Sequence, residues 1–185
     1  MPKHQKLHEK GIIQWLMLMW WFAVSKEYTK VAESTFPIKV DEFFEQFFSD
    51  DALKFIEEFH SKSNDKDLRC SSWLFHEATG HSRTIQFQHP IKIYFGSKFG
   101  SCREVQSFRV YKNSHLVMET SQYISDVPYS DYFCVKGLWD LRNEGKGCSL
   151  NVYLHVAFSK KTVFKGKIIQ STFEECRESY ALWIE

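Results

Sequence analysis

The chain has 185 residues, of which 43% are hydrophobic and 25% charged, with a formal net charge of +1 at pH 7. This length fits one domain with a single hydrophobic core. The balanced charge argues against a strongly basic surface, so we expect no nucleic-acid partner. Aromatic residues make up 17% of the chain. That fraction is typical either of a bulky core or of the lining of an apolar ligand pocket.

The cysteines indicate a reducing compartment. There are five of them, an odd number, with no C-x-x-C pair and no Asn-x-Ser/Thr glycosylation site in the sequence. We therefore predict free thiols, most of them buried and unreactive. They are Cys70, Cys102, Cys134, Cys148 and Cys176.

The first 28 residues form a segment of their own. A basic stretch, "MPKHQKLHEK", is followed by an apolar run from Gly11 to Val24. A membrane-spanning helix needs about 20 apolar residues, so this run is too short to span. We predict an interfacial or packed helix, with a signal-peptide-like remnant as the second interpretation. Residues 29–185 then form the folded domain.

A strand and two short helices are predicted at the start of this domain. "TFPIKV" (residues 35–40) is a strand candidate that contains Pro37. Asp41 is a predicted cap for a helix through "EFFEQFF", and Asp50 or Asp51 for a helix through "ALKFIEEFH". Each helix has one apolar stripe and is expected to pack on a larger element.

A β-rich region follows the two helices. Six segments have strand composition, and turn sequences such as "ATGH", "KNSH" and "NEGKG" separate them, which predicts an antiparallel meander. The segments are "DLRCSSWLFHE", "SRTIQFQH", "REVQSFRVYKN", "HLVMETSQYI", "YFCVKGLWDLRNE" and "CSLNVYLHVAFSK". In the last segment, Leu150, Val152, Leu154, Val156 and Phe158 are expected to share one face.

The chain closes with an amphipathic helix between Phe164 and Trp183, about 30 Å long. Its apolar stripe needs a long apolar partner, and a curved sheet is the available one. We predict an α+β helix-grip fold, with a six- or seven-stranded antiparallel sheet around the terminal helix and two short helices after the first strand. A bent sheet and one helix leave a hollow between them, which is a candidate ligand cavity.

Catalytic and metal-binding motifs are weak in this sequence. "HEATGH" (residues 76–81) differs from the zinc motif H-E-x-x-H, because its histidines are five residues apart. "GSKFGS" lacks phosphate-loop spacing, and no G-x-S-x-G is present. We expect a protein that is not an enzyme and that needs neither a metal nor a cofactor.

A long connection, His89–Ser101, is a predicted membrane-contacting loop. Loops of this length in compact domains are usually functional. Apolar side chains alternate with lysines along it, a pattern that suits insertion into an anionic bilayer surface. The residues are Ile91, Ile93, Tyr94, Phe95, Lys98 and Phe99. The alternative is that the two strands simply extend here as a longer ribbon.

The segment "SQYISDVPYSDYFCV" closely resembles the most recognisable motif of VASt domains, also called Aster domains. Further matches are "FPIKVDEFFEQFFSDDALKFIEEFH", "RTIQFQHPI", "EVQSF" and "SKKTVFKGKI". The resemblance covers residues 29–185 and is nearest to plant GRAM–VASt proteins of the vascular-associated cell death type.

The resemblance implies a START-like domain that binds a sterol or similar lipid and moves it between membranes. Such proteins are tethered to the endoplasmic reticulum, so we expect association with the cytosolic side of that membrane or of contact sites. A cytosolic protein is the alternative. We also expect an isolated or truncated module, since no GRAM-like region precedes residue 29. The resemblance predicts no particular protein partner.

Within the motif, Pro128 fixes its own φ and Asp126 is expected to accept bonds from turn backbone N–H groups. Asp126 and Asp131 have no nucleophile or metal partner nearby in the sequence. We interpret the segment as a rigid corner beside the cavity, architectural rather than catalytic.

Strand alternation and helix face give the predicted lipid-binding residues. They are Trp73, Phe75, Phe87, Phe108, Val110, Met118, Tyr129, Phe133, Trp139, Leu154, Ile169 and Phe173. The group that meets a sterol hydroxyl is left open between Gln86, Gln122, Tyr129 and His155. The competing hypothesis is a non-enzymatic interaction module with a filled cavity, acting in a cell-death or defence signalling complex.

Overall fold

A computed structural model describes residues 26–77, 80–91, 99–111 and 115–185. The apolar run from Gly11 to Val24 lies outside these residues. The predicted division into a segment 1–28 and a domain 29–185 therefore stays a prediction. Among the residues that are described, no helix is long and apolar enough to cross a lipid bilayer.

The described residues form eight strands and three α-helices. The strands are β1 Thr29–Phe36, β2 Lys66–Cys70, β3 Leu74–His76, β4 Gly80–Pro90, β5 Phe99–Tyr111, β6 His115–Ser125, β7 Phe133–Glu144 and β8 Gly147–Phe158. The helices are α1 Val40–Phe47, α2 Leu53–Lys62 and α3 Lys165–Ile184.

All strands belong to one antiparallel sheet, in the order β1-β8-β7-β6-β5-β4-β2, with β3 also paired to β4. The C-terminal helix α3 packs beside β1 and β8, while α1 and α2 follow the first strand. The predicted helix-grip architecture is confirmed, although the sheet has eight strands rather than six or seven.

The extra strand arises because the predicted strand "DLRCSSWLFHE" is broken at residues 71–73. Trp73 leaves the sheet there and its indole Nε1 donates to the carbonyl of Phe48, 2.7 Å away. Its backbone N–H donates to Asp50 at 3.1 Å. Both bonds tie the chain to the end of α1, so β2 and β3 pair with β4 as two separate strands.

The first predicted boundaries were wrong. Strand β1 ends at Phe36, because Pro37 has no N–H to donate to the sheet. Helix α1 begins at Val40, whose N–H donates to Asn143 Oδ1 at 2.9 Å. Asp41 lies in its first turn, where a negative charge favours the helix dipole.

The predicted caps of the second helix were also wrong. Asp50 and Asp51 belong to a short 3-10 helix, Asp50–Ala52, that precedes α2, and neither side chain caps it. The carboxylate of Asp50 instead accepts the bond from Trp73. A side chain that bonds a distant backbone group is not available to its own helix.

The main core lies under α1, against the centre of the sheet. Phe43 is fully buried and packs with Leu141, Leu150 and Val152, each also fully buried. Burying a side chain of this size contributes roughly 2 kcal/mol. The predicted alternation in β8 is confirmed, since Leu150, Val152, Leu154 and Val156 are all buried.

The motif between β6 and β7 forms a corner around Pro128. Asp126 and Tyr129 flank it with φ angles of 66° and 64°, in the left-handed region. The carboxylate of Asp126 accepts from the Ser101 hydroxyl at 2.7 Å, not from turn backbone groups as predicted. Asp131 forms an ion pair with Lys160. These bonds attach the corner to β5 and to the segment that follows β8.

Candidate functional site

A cavity of about 210 Å³ lies between the inner face of the sheet and the helices. Strands β4 to β7 form one wall, helix α3 forms another, and α2 with the end of α1 closes the remaining side. The side chains that line it follow from alternation, because every second residue of each strand points inward.

The sheet wall is built of cross-strand rows. Phe87, Cys102 and Ile124 form an apolar row near the end of the sheet where β4 joins β5. At the other end, Phe108, Met118 and Trp139 form a second apolar row. Of these three, Trp139 lines the cavity, while Phe108 and Met118 belong to the main core.

A polar belt separates these two apolar rows. One of its rows contains Glu104 and Gln122, and the next contains Arg83, Gln106 and Thr120. All five side chains line the cavity. The wall is therefore apolar at both ends and polar in the middle, which suits a molecule with a polar group attached to an apolar body.

Hydrogen bonds connect the centre of the belt. Arg83 Nε donates to Gln106 Oε1 at 2.7 Å, and Gln106 Nε2 donates to Glu104 Oε1 at 2.6 Å. The amide of Gln106 is thus held in one orientation. Burial raises the pKa of Glu104, which favours its neutral form.

Helix α3 brings a hydroxyl to the belt. Tyr180 lies over Gly137, where an added Cβ would be 3.4 Å from the Tyr180 oxygen and would collide with Thr120. The missing side chain at position 137 therefore makes room for Thr120 of the neighbouring strand, and the Tyr180 hydroxyl lies in ordinary contact distance above it. Burial raises the pKa of Tyr180 well above its usual value, so the hydroxyl stays protonated.

An aromatic cage closes the cavity beside α1. Trp183, from the last turn of α3, packs against five rings with centroid distances between 4.9 and 5.8 Å. These rings are Phe43, Phe47, Phe48, Phe55 and Trp139. Within the described residues, the Trp139 Nε1 is a buried side-chain donor that lacks a hydrogen-bond partner.

A chain of charged hydrogen bonds lies at the rim. The carboxylate of Asp65 is 2.6 Å from His60 Nδ1 and 2.6 Å from His89 Nδ1. His89 Nε2 is 3.0 Å from Glu175 on α3. The two carboxylates raise the pKa of His89 to about 9, so this imidazole is protonated at neutral pH and links α3 to the sheet.

The thiols near the cavity are unreactive. Burial raises the pKa of Cys102 and of Cys176 to about 12, so both remain protonated at neutral pH. All five cysteines are free. In the described part of the chain, no group of three or more His, Cys, Asp and Glu side chains is placed to hold a metal ion.

The family model of VASt, the "VAD1 Analog of StAR-related lipid transfer domain", matches residues 30–175. The chain belongs to the VASt family. "Protein VASCULAR ASSOCIATED DEATH 1, chloroplastic" of Arabidopsis thaliana is 62% identical over 165 residues, which cover 87% of this chain and 28% of that protein. This VASt chain thus spans less than a third of the length of that relative.

Two solved structures are similar to this VASt domain. TTHA0849 of Thermus thermophilus matches with a TM-score of 0.51 and 13% identity, covering 85% of this chain and 91% of that one. Mll3558 of Rhizobium loti matches with a TM-score of 0.45 and 17% identity, covering 84% and 96%. At such low identity the first match shows the shared fold and nothing about the ligand.

Three of the predicted lipid-binding residues line the cavity of this VASt domain: Phe87, Phe133 and Trp139. The structure places the other nine elsewhere. Met118 and Leu154 are fully buried, and Trp73 and Phe108 pack against the main core. Ile169 and Phe173 are half-buried on α3 outside the lining.

The remaining three predicted residues are exposed. Phe75 is 65% exposed and Val110 60%, at the end of the sheet that α3 does not cover, and Tyr129 lies in the corner. Alternation predicts which face a side chain is on. It does not predict how far along the strand that face is covered.

Of the polar candidates, Gln122 lines the cavity and the other three do not. Gln86 lies in a groove on the outer face, and His155 Nδ1 is bonded to the carbonyl of Glu27. Arg83, Glu104 and Gln106 were missed. The sequence contained the signal for them. Each lies an even number of residues from Phe87 or Phe108 on the same strand, and those two residues were predicted to point inward.

The predicted membrane loop is partly described. Strands β4 and β5 pair as far as Pro90 and Phe99, so the ribbon is longer and the connection shorter than predicted. Ile91 packs over Gly100, and the Lys66 ammonium lies 4.3 Å from the centre of the Phe99 ring. The other predicted residues, Ile93, Tyr94, Phe95 and Lys98, lie outside the described residues.

Proposed function

We propose that this VASt domain binds a sterol or a related apolar lipid in the cavity beneath α3. The observation that carries the proposal is the order of the lining, with an apolar row at one end, a polar belt in the middle and the aromatic cage around Trp139 and Trp183 at the other end. An amphipathic molecule with one polar group matches that order, because its polar group finds partners while its body stays in apolar surroundings.

Ligand entry requires the cavity to expand. Its volume of about 210 Å³ is below the roughly 300–1,000 Å³ of small-molecule sites. Helix α3 is the wall best suited to move, since none of its residues is fully buried. The bond between His89 and Glu175, which attaches the helix to β4, lies at the rim of the cavity. Displacing α3 exposes less apolar surface than displacing a strand would.

Transfer between membranes follows from weak retention. Burial of apolar surface at about 25 cal/mol per Å² holds the lipid until the next membrane encounter. Contact through the segment between β4 and β5, at an anionic endoplasmic reticulum or contact-site surface, completes the proposal. The family description supports lipid binding, whereas the choice of a sterol, its transfer and the location are the proposed part.

The first experiment is a titration of the protein with a fluorescent sterol, competed by unlabelled sterols and by phospholipids. We expect saturable binding that sterols displace.

The second candidate function is an interaction module with a filled cavity, in a cell-death signalling complex. The small cavity volume favours it, as does the name of the Arabidopsis relative, VASCULAR ASSOCIATED DEATH 1. The titration separates the two functions. Folded protein that shows no saturable binding of any lipid would exclude the carrier and leave the interaction module.

Loss of apolar side chains from the β4–β5 connection should weaken membrane binding. For Tyr94→Ser/Phe95→Ser we expect about a tenfold loss of flotation with anionic liposomes, because two interfacial anchors are removed. The matched control is Phe75→Ser/Val110→Ser, which removes two exposed apolar side chains at the opposite end of the sheet. Equal flotation of both variants and the unmodified protein would contradict the loop's role.

A further inference from the structure

Arg83 is a charged residue in the wall of a largely apolar cavity. It is only 4% exposed. Its guanidinium lies 4.5 Å from the centre of the Trp73 ring, and its Nε is bonded to Gln106. A guanidinium keeps its proton in proteins. The cavity therefore contains a permanent positive charge next to the space available to a ligand.

This charge is poorly balanced by the protein. Within the described part of the chain, Gln106 is the hydrogen-bond acceptor for Arg83, and no carboxylate forms an ion pair with it. The carboxylate of Asp50 accepts a hydrogen bond from the backbone N–H of Trp73 instead. The carboxyl group of Glu104 accepts from the amide of Gln106, which lies between Glu104 and Arg83. A buried charge is normally paired with an opposite charge or saturated with hydrogen bonds.

Glu104 does not pair directly with Arg83, because the amide of Gln106 lies between the two side chains. Burial is the dominant influence on its carboxyl group and raises its pKa, while Gln106, His60 and Arg83 oppose that shift. In its neutral form this acid both donates and accepts hydrogen bonds. It complements a bound polar group without neutralising Arg83.

We propose that the preferred ligand carries an anionic, oxygen-bearing head group, a carboxylate or a sulfate, which binds to Arg83 in the polar belt. The terminal amino groups of the guanidinium donate to the anion, while Gln106 and Trp73 hold the side chain in place. Tyr180 and Gln122 supply further donors. The inference rests on the proposed lipid-binding function and narrows its ligand class.

The alternative is a neutral sterol alcohol, which gains less from Arg83. A hydroxyl oxygen accepts one hydrogen bond without charge, whereas an oxyanion accepts two charge-assisted bonds from a guanidinium. Charge-assisted bonds in such surroundings correspond to roughly tenfold to hundredfold in affinity. The two head groups are therefore distinguishable on one and the same apolar body.

The experiment compares cholesterol sulfate with cholesterol as competitors of a fluorescent sterol bound to the full chain. We expect the sulfate to displace the probe at a concentration about tenfold lower. Arg83→Gln should abolish this preference, because it weakens the binding of the sulfate far more than that of cholesterol, and Arg83→Lys should restore part of it. Arg103→Gln is the matched control, because it removes the same charge from the outer face of β5.

Each outcome is decisive. A preference for the sulfate in the unmodified protein that Arg83→Gln removes supports the inference, and the preference alone supports it if that variant does not fold. Cholesterol binding as tightly as its sulfate overturns the anionic head group and leaves lipid binding intact. If folded protein binds neither the probe nor either competitor, the proposed carrier function itself is overturned.

Discussion

Replacing Trp183 by alanine should destabilise the domain by about 3 kcal/mol. The indole contacts five aromatic rings from α1, α2 and β7, and its ring lies nearly parallel to that of Phe48, at 19°. Because α3 has no fully buried residue, this cage is its strongest attachment to the rest of the domain. Removing the indole takes away the contacts of all five rings at once.

Urea unfolding followed by circular dichroism measures this loss. The matched control is Phe173→Ala, which removes another half-buried aromatic side chain from α3 outside the cavity, and for which we expect a loss of about 1 kcal/mol. A saturating sterol should recover part of the stability of Trp183→Ala, because the enlarged cavity admits it more easily. Equal losses in both variants would show that the cage does not anchor the helix.

The periodicity of α3 was predictable, and its partner was not. The sequence stripe that contains Cys176, Tyr180 and Trp183 matches the half-buried face of the helix. The stripe shows that the helix needs an apolar partner, but not which rings meet Trp183. Phe43 and Phe55 come from helices more than 120 residues earlier in the chain, and such long-range contacts leave no local pattern.

The polar belt shows a different limit. Hydrophobic alternation assigned Phe87 and Phe108 to the inner face, and the same alternation places Arg83 and Gln106 there too. A charged residue in a strand is usually exposed, so arginine was expected to face the solvent. That general expectation outweighed the strand alternation, which places Arg83 on the inner face. Inward-pointing polar residues in an otherwise apolar pattern are where function is to be sought.

The second large effect is expected at Asp65. Its side chain is 3% exposed and accepts hydrogen bonds from His60 and His89. In Asp65→Asn one acceptor oxygen becomes an amino group that faces an imidazole donor. We expect a loss of about 3 kcal/mol, since the two histidines lose their shared buried carboxylate and His89 keeps only Glu175 as a charged partner. Asp131→Asn is the control, because that carboxylate pairs with Lys160 on the exposed surface and its loss should change little.

The pH dependence of stability tests the same cluster. The pKa of His89 is about 9 in the folded protein against an ordinary value of 6.5, so its contribution is complete below pH 6.5 and is lost as the pH rises through 9. That contribution is at most about 3 kcal/mol. Burial by itself raises the pKa of Asp65, but the bonds from the two histidines outweigh it and hold this pKa below its ordinary value of 3.8. Its contribution is present above that value and is lost as the pH falls through the lowered pKa.

Asp65→Asn should therefore flatten the stability profile at both ends. Between pH 7 and pH 9 the free energy of unfolding of the unmodified protein should fall, whereas that of the variant should change less, because its imidazole at position 89 retains Glu175 alone as a charged partner. His89 also joins the sheet to α3 through Glu175. Because Asp65→Asn lowers the pKa of His89 and so weakens this ion pair, the variant should loosen the helix and speed sterol entry at neutral pH. A variant with unaltered pH dependence would show that the hydrogen bonds to Asp65 do not set the charge of His89.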